Sequence, residues 1–229
     1  RIRLKHFLKI QWPMQRSIML IGVPSATETM FFHGGKILMQ TFIVSLGTMS
    51  MTANAIASSI SALFYIPGNA ISLTIVTVVG QCIGAGCIEE AKGYIKSFNR
   101  TAMLLSVACI LLILPFTPLL YQMYNPPDAV TFDTFAIIAV CAVGLPTLWP
   151  RGFITPGALR AAGDARFTLV ASLLSMWLVR VMLGYVLAIV FHVGVVGIWI
   201  AMVLEWGVRG IIFSLRERRD KWYRHKVIT

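Results

Sequence analysis

The sequence predicts an all-α membrane protein, a bundle of six transmembrane helices, and three observations carry that prediction. Hydrophobic residues make up 57% of the 229-residue chain and charged residues 13%, against roughly a quarter charged in soluble domains. The apolar residues gather into six long stretches, at about 17–46, 54–82, 101–123, 132–158, 167–191 and 194–214, and about 20 such residues cross a hydrocarbon core about 30 Å thick. Lys and Arg fall on alternate joints between these stretches. Unbroken apolar runs such as Ala102 to Leu114 exclude barrel strands, which alternate lipid-facing and lumen-facing residues.

The net charge of +11, from 20 basic and 9 acidic residues, would suggest nucleic acid in a soluble protein. Its placement argues for a membrane instead. Arg1, Arg3, Lys5, Lys9 and Arg16 precede the first stretch; Lys92, Lys96 and Arg100 follow the second; Arg160 and Arg166 follow the fourth; Arg216, Arg218, Arg219, Lys221, Arg224 and Lys226 follow the sixth. The intervening joints carry no Lys or Arg. By the positive-inside rule both ends face the cytoplasm, and the expected location is a bacterial inner membrane, crossed several times. No nucleic-acid partner is expected.

Taken in order, residues 1–16 alternate basic and apolar side chains, as an amphipathic segment at the membrane interface does. Residues 17–215 form the transmembrane lobe and 216–229 a basic cytoplasmic tail, solvated or laid against anionic headgroups. Pro24 falls early in the first stretch, and Pro67 beside Gly68 should bend the second. Pro115 and Pro118 end the third, and Asn125-Pro126-Pro127-Asp128 is a turn. Pro146, Pro150 and Pro156 make the fourth the least regular by expectation. Trp12, Tyr124, Trp222 and Tyr223 read as interface anchors. Cys82, Cys87, Cys109 and Cys141 show no CxxC spacing and read as buried thiols. The basic start leads into a full-length span rather than a cleavable signal, and the absence of an initiator Met predicts a piece of a longer polypeptide.

Charged residues at membrane depth carry the functional signal. An ionised carboxylate at Glu28 costs about 2.5–3.5 kcal/mol on insertion scales, so it must face a cavity, meet a cation, hold a proton or bond a hydroxyl of a neighbouring helix. His33 and Lys36 share a face of the same helix and are candidates for a substrate cleft, as are Arg151 and Trp149. A cationic Lys36 there would suit anionic or zwitterionic cargo. Arg180, Glu205 and Arg209 read as structural charge pairs: Arg180 with Glu205 across helices, and Glu205 with Arg209 along one. Gly80 and Gly84 have the spacing that lets helix backbones approach, and Gly86 can end the helix with a left-handed residue. No nucleophile and base, metal motif or His cluster is evident, so neither an enzyme nor a bound cofactor is expected.

Val79-Gly80-Gln81-Cys82-Ile83-Gly84-Ala85-Gly86, followed by Glu89-Glu90-Ala91-Lys92, resembles a segment of the multidrug and toxic compound extrusion (MATE) transporters. Further matches follow in order: Gly22-x-Pro24 with Glu28, Leu159-Arg160-Ala161-Ala162-Gly163-Asp164-Ala165-Arg166, Gly194-x-x-Gly197-Ile198-Trp199, then Glu205, Arg209 and Lys221-Trp222. The resemblance covers nearly the whole chain and is to the C-terminal half of such a transporter. It implies one lobe of a twelve-helix secondary antiporter, partnered by an N-terminal lobe, exporting drugs or metabolites in exchange for Na+ or H+. It also implies that Glu28 is the cation-coupling residue. The aspartate that many members carry in the fourth span is replaced here by Leu148-Trp149-Pro150-Arg151. A flippase for lipid-linked precursors would have a larger, strongly cationic cleft, and Lys36, Arg151 and Arg180 all pointing into it would favour that reading. A structural membrane module or channel subunit would show neutralised charges and no cavity at Glu28.

Overall fold

A computed structural model describes residues 12–219 and 222–223, and every regular element among them is helical. The helices are α1 (Trp12–Ser45), α2 (Thr48–Gly84), α3 (Ile88–Ile113), the short α4 (Thr117–Gln122), α5 (Thr131–Ala161), α6 (Ala165–Leu174) and α7 (Val195–Arg218). At Pro115 the missing N–H breaks the α-helical ladder, and a 3₁₀ turn, Leu114–Phe116, joins α3 to α4. A second 3₁₀ turn, Asp128–Val130, opens α5. Beyond Leu174, α6 continues through π-helical turns at Ser175–Leu183 and Val186–Val190.

Among the described residues five helical segments are long and apolar enough to cross a membrane: Thr48–Gly84, Ile88–Gln122, Asp128–Ala161, Ala165–Val190 and Val195–Arg218. The protein is a multi-pass membrane protein. The 34-residue α1 has the length of a sixth crossing, but Arg16, Glu28, His33 and Lys36 dilute its apolar character.

The core lies around α5, which packs on α7, α2 and α3, while α1 rests mainly on α6. Leu145 and Ile154 of α5 and Ile75 of α2 are fully buried there. Small residues set the helix spacing. At Gly152 a Cβ would lie 3.0 Å from the Trp206 carbonyl oxygen of α7, and at Gly68 it would lie 2.5 Å from the Trp149 ring of α5.

Four expectations need correction. The fourth span is not the least regular, because α5 is α-helical through Pro146, Pro150 and Pro156. Tight packing on α7 and α2 holds its turns, and the departure from α geometry lies in the π-helical continuation of α6. The close approach expected at Gly80 and Gly84 is absent: a Cβ on Gly80 would be 4.0 Å from Ala161, and one on Gly84 would meet nothing within 4 Å. Gly86 does take a left-handed conformation, at φ +79°. Of the thiols, only Cys141 is fully buried, and the other three are half-buried.

The fourth correction concerns the tail. Arg216 and Arg218 lie in the last turn of α7, and Arg216 Nε donates to Asp164 Oδ2 at 2.7 Å. Trp222 is fully buried and its indole N–H donates to the Glu217 carbonyl at 3.1 Å, so it closes the core rather than anchoring at headgroups. Lys92 lies over the Tyr223 ring at 5.3 Å. The amphipathic reading of residues 1–16 lies outside the described residues up to residue 11, and residues 12–16 are the start of α1.

Gly152→Val should lower the melting temperature of the detergent-solubilised protein far more than Gly84→Val. The first forces α5 off α7 at an overpacking cost of about 1–3 kcal/mol, whereas the second enters open space.

Candidate functional site

Glu28, Phe32 and Lys36 recur at four-residue intervals on α1 and so share one face of it. That face meets α6, its π-helical continuation and the far end of α5. Glu28 is buried there at 6% exposure. Arg160 Nη1 donates to Glu28 Oε2 at 2.9 Å, and the Ser172 hydroxyl donates to Oε1 at 2.6 Å. A second guanidinium, Arg209, stands 3.6 Å from Oε1.

The pairing continues inward. Arg209 Nη2 donates to Ser172 Oγ at 3.0 Å and Nη1 to Glu205 Oε1 at 3.4 Å. Glu205, wholly buried, accepts a bond from Arg180 Nη2 at 3.0 Å on its other oxygen. The Ser175 hydroxyl adds a contact to Glu205 at 3.4 Å. Arg160, Glu28, Arg209, Glu205 and Arg180 therefore form one ladder of alternating charge, built from α1, α5, α6 and α7. Alternation is what makes it tenable, because each buried charge has opposite neighbours and few lone pairs are left empty.

Aromatic faces complete the solvation of the cations. The Phe32 ring has Lys36 at 5.1 Å, Arg180 at 5.4 Å and Arg209 at 5.6 Å from its centroid. Arg209 also stands 4.5 Å from the Phe153 ring. The ring quadrupole attracts a cation, most strongly where water is excluded.

The ladder meets a cleft at its Arg180 end. This cavity, of about 230 Å³, is lined by Lys36 and Gln40 of α1, Asn54 and Ser58 of α2, Trp199 of α7 and Arg180. Met39, Ile43, Ile198 and Met202 supply its apolar wall. Glu28 does not line it.

The residues expected from the sequence divide accordingly. Lys36 is in the cleft, and Arg180, Glu205 and Arg209 are paired as expected. His33 is exposed, with its ring edge-on to Phe32 at 6.5 Å. Arg151 is exposed beside Gly210 of α7 and outside the cleft. Trp149 is no cleft residue: it is 5% exposed, stacked on Phe153 at 5.1 Å and set against Gly68. Glu28 lies near the middle of α1, 17 residues before its end at Ser45, and is met there by Arg160 from the last turn of α5.

Sequence reasoning missed Arg160, Ser172 and Phe32 as members of the site. Arg160 was visible only as a basic joint residue and as part of the Leu159-Arg160 motif. The absence of any cation at i±3 or i±4 from Glu28 implied a partner on another helix without saying which. Among the described residues no three His, Cys, Asp or Glu side chains gather as a metal site would require.

Three comparisons bear on this arrangement. The MatE family profile matches residues 24–186. The chain is 28% identical to the "Uncharacterized transporter YisQ" of Bacillus subtilis over 228 residues, covering 97% of this chain and 50% of that protein. It is 25% identical over 221 residues to the "Probable multidrug resistance protein NorM" of Thermotoga maritima, covering 96% and 47%. The chain thus spans about half the length of the curated relatives it matches. Among solved structures, "MATE transporter ClbM in complex with Rb+" superposes with TM-score 0.83 at 19% identity, over 93% of this chain and 50% of that one. "MATE in the bent conformation" superposes with TM-score 0.80 at 18% identity, over 95% and 48%. These last two show a shared fold.

Removing Glu205 alone leaves Arg180 without its acid and Arg209 short of one. Glu205→Met should therefore cost about 3–5 kcal/mol of stability, and Arg180→Met combined with it should restore part of that loss. A double-mutant cycle on thermal unfolding in detergent reads the difference; additive costs would contradict the pairing.

Proposed function

The chain belongs to the MatE family, and on that premise we propose that it is the C-terminal lobe of a secondary efflux antiporter that exports drugs or metabolites against an inward cation gradient. It is a transporter chain and not an enzyme. Its partner in this reading is an N-terminal lobe, which accounts for the remaining half of the relatives' length. The pair sits in a bacterial cell membrane with the ends of this segment in the cytoplasm, where the positive-inside distribution puts them.

The observation that carries the mechanism is the sharing of Glu28 between Arg160 and Ser172, with Arg209 beside it. Two guanidinium groups within 4 Å of one carboxylate oppose any added cation there. A metal ion also needs several acidic ligands, which do not gather among the described residues, whereas a proton needs one oxygen, and this favours H+ over Na+ as the coupling ion. A proton on Glu28 competes directly with Arg160: it removes the charge that holds the guanidinium and releases α5 from α1. Coupling then follows if the bridged and protonated forms belong to different access states, since a ligand shifts an equilibrium only through its differential affinity. The interface between α1 and the α5–α7 core is the surface such a switch would move.

The rival readings fit less well. A lipid-linked-precursor flippase calls for Arg151 in the cleft with Lys36 and Arg180, and Arg151 lies outside it. A purely structural module calls for no cavity at Glu28, which the cleft's lining meets, and for charges that cancel, which it does not: the ladder with Lys36 carries four cations against two carboxylates.

Dye efflux from proteoliposomes holding the full native transporter, driven separately by H+ and by Na+ gradients, tests the proposal. Efflux should follow the H+ gradient in wild type and lose that dependence in Glu28→Gln. Undiminished H+-driven efflux in Glu28→Gln would remove Glu28 from the mechanism.

A further inference from the structure

The cleft beside Lys36 is a place of surplus positive charge. Arg160, Arg209, Arg180 and Lys36 stand against Glu28 and Glu205 alone. Among the described residues Lys36 makes no ion pair and rests its ammonium only on the Phe32 ring. Arg180 lines the cleft, is 5% exposed, and retains a buried Nε–H with no hydrogen-bond partner. Lys36 is an exposed residue of α1, and a cation that faces membrane depth is costly until an anion meets it.

The rest of the lining suits such an anion. Lys36 and Gln40 lie one turn apart on α1, and Asn54 and Ser58 one turn apart on α2, so two polar stripes border the same cavity. The Asn54 amide oxygen accepts the Trp199 indole N–H at 2.9 Å, which leaves the Asn54 amide nitrogen, a donor, for the cleft. No acidic side chain lines it. Met39 and Ile43 of α1 and Met202 of α7 add apolar lining, and the flexible methionine thioethers adapt to varied shapes. At about 230 Å³ the cavity is smaller than the roughly 300–1,000 Å³ of sites for drug-sized ligands.

We infer that this cleft is a binding site for small amphiphilic organic anions, with the carboxylate seated between Lys36, Arg180 and the amide donors of Gln40 and Asn54, and a short apolar body lying against Met39 and Met202. A lipophilic cation of the same size is excluded by the two cations, Lys36 and Arg180, that line the cleft. The inference deepens the efflux reading by naming a cargo class, and it rests on that reading for the cleft's place on the transport route.

Equilibrium binding of radiolabelled benzoate to the full native transporter in detergent, with no gradient imposed, tests it. Saturable binding is expected in wild type, lowered about 10- to 100-fold by Lys36→Gln, the range for loss of one charged hydrogen bond, and largely kept by Lys36→Arg. Ser58→Asp, which sets a carboxylate beside Lys36, should abolish binding, with a thermal melt confirming that each variant is folded. Labelled tetraphenylphosphonium should not compete. Absence of saturable benzoate binding in wild type, as when an acid of the other lobe already neutralises Lys36, overturns the inference. Equal affinity in folded Lys36→Gln, or displacement by tetraphenylphosphonium, overturns it as well. Because the assay uses no gradient, its failure leaves Glu28 coupling standing, and failure of H+-driven efflux leaves this result standing.

Discussion

The arrangement of this lobe depends on one constraint: two carboxylates and two guanidinium groups are buried together, with a third guanidinium, Arg160, half-buried at the edge, where lipid, not water, surrounds the fold. Such charges persist only as neighbours of opposite sign, and the ladder from Arg160 through Glu28, Arg209 and Glu205 to Arg180 meets that requirement with one charge from α1, one from α5, one from the π-helical stretch after α6 and two from α7. Each helix is therefore held in rotation and in depth, since a turn of any of them would strand a charge. The hydroxyls of Ser172 and Ser175 fill the remaining acceptor positions.

The lobe has two mechanical parts as a result. Around α5 the packing is apolar and close, with Gly68 and Gly152 admitting Trp149 and the α7 backbone. Against this block α1 is held largely by α6 and by the Glu28 bridge to Arg160. The π-helical turns carry Arg180 on the segment facing both parts, and such turns recur at functional positions because they displace a side chain from the α-helical register.

The departure from the resembling family also finds its place. Where many members carry an aspartate, Trp149 stacks on Phe153 and fills the space over Gly68. Glu28 has Arg160, Arg209 and the Ser172 hydroxyl as its companions.

What the sequence alone determined is whatever depends on local composition and spacing. Apolar length set four of the crossings to within about six residues and the far end of a fifth, Ile88–Gln122, whose start lies well before the expected 101 because Lys92, Lys96 and Arg100 interrupt the apolar run. Glycine placed the left-handed end at Gly86, and the four-residue step between Glu205 and Arg209 made their pairing legible. Even the pairing of Arg180 with Glu205 could be read from matched depth on consecutive helices. The tertiary structure decided which helices meet and by which face. It brought Arg160 to Glu28 across 132 positions of sequence, buried Trp149 and Trp222, turned Arg151 outward and left His33 exposed. The reason is physical: periodicity tells that a helix has a polar stripe, but α1's neighbours are chosen by the total cost of burying every stripe at once, a sum over the whole bundle that no single segment contains.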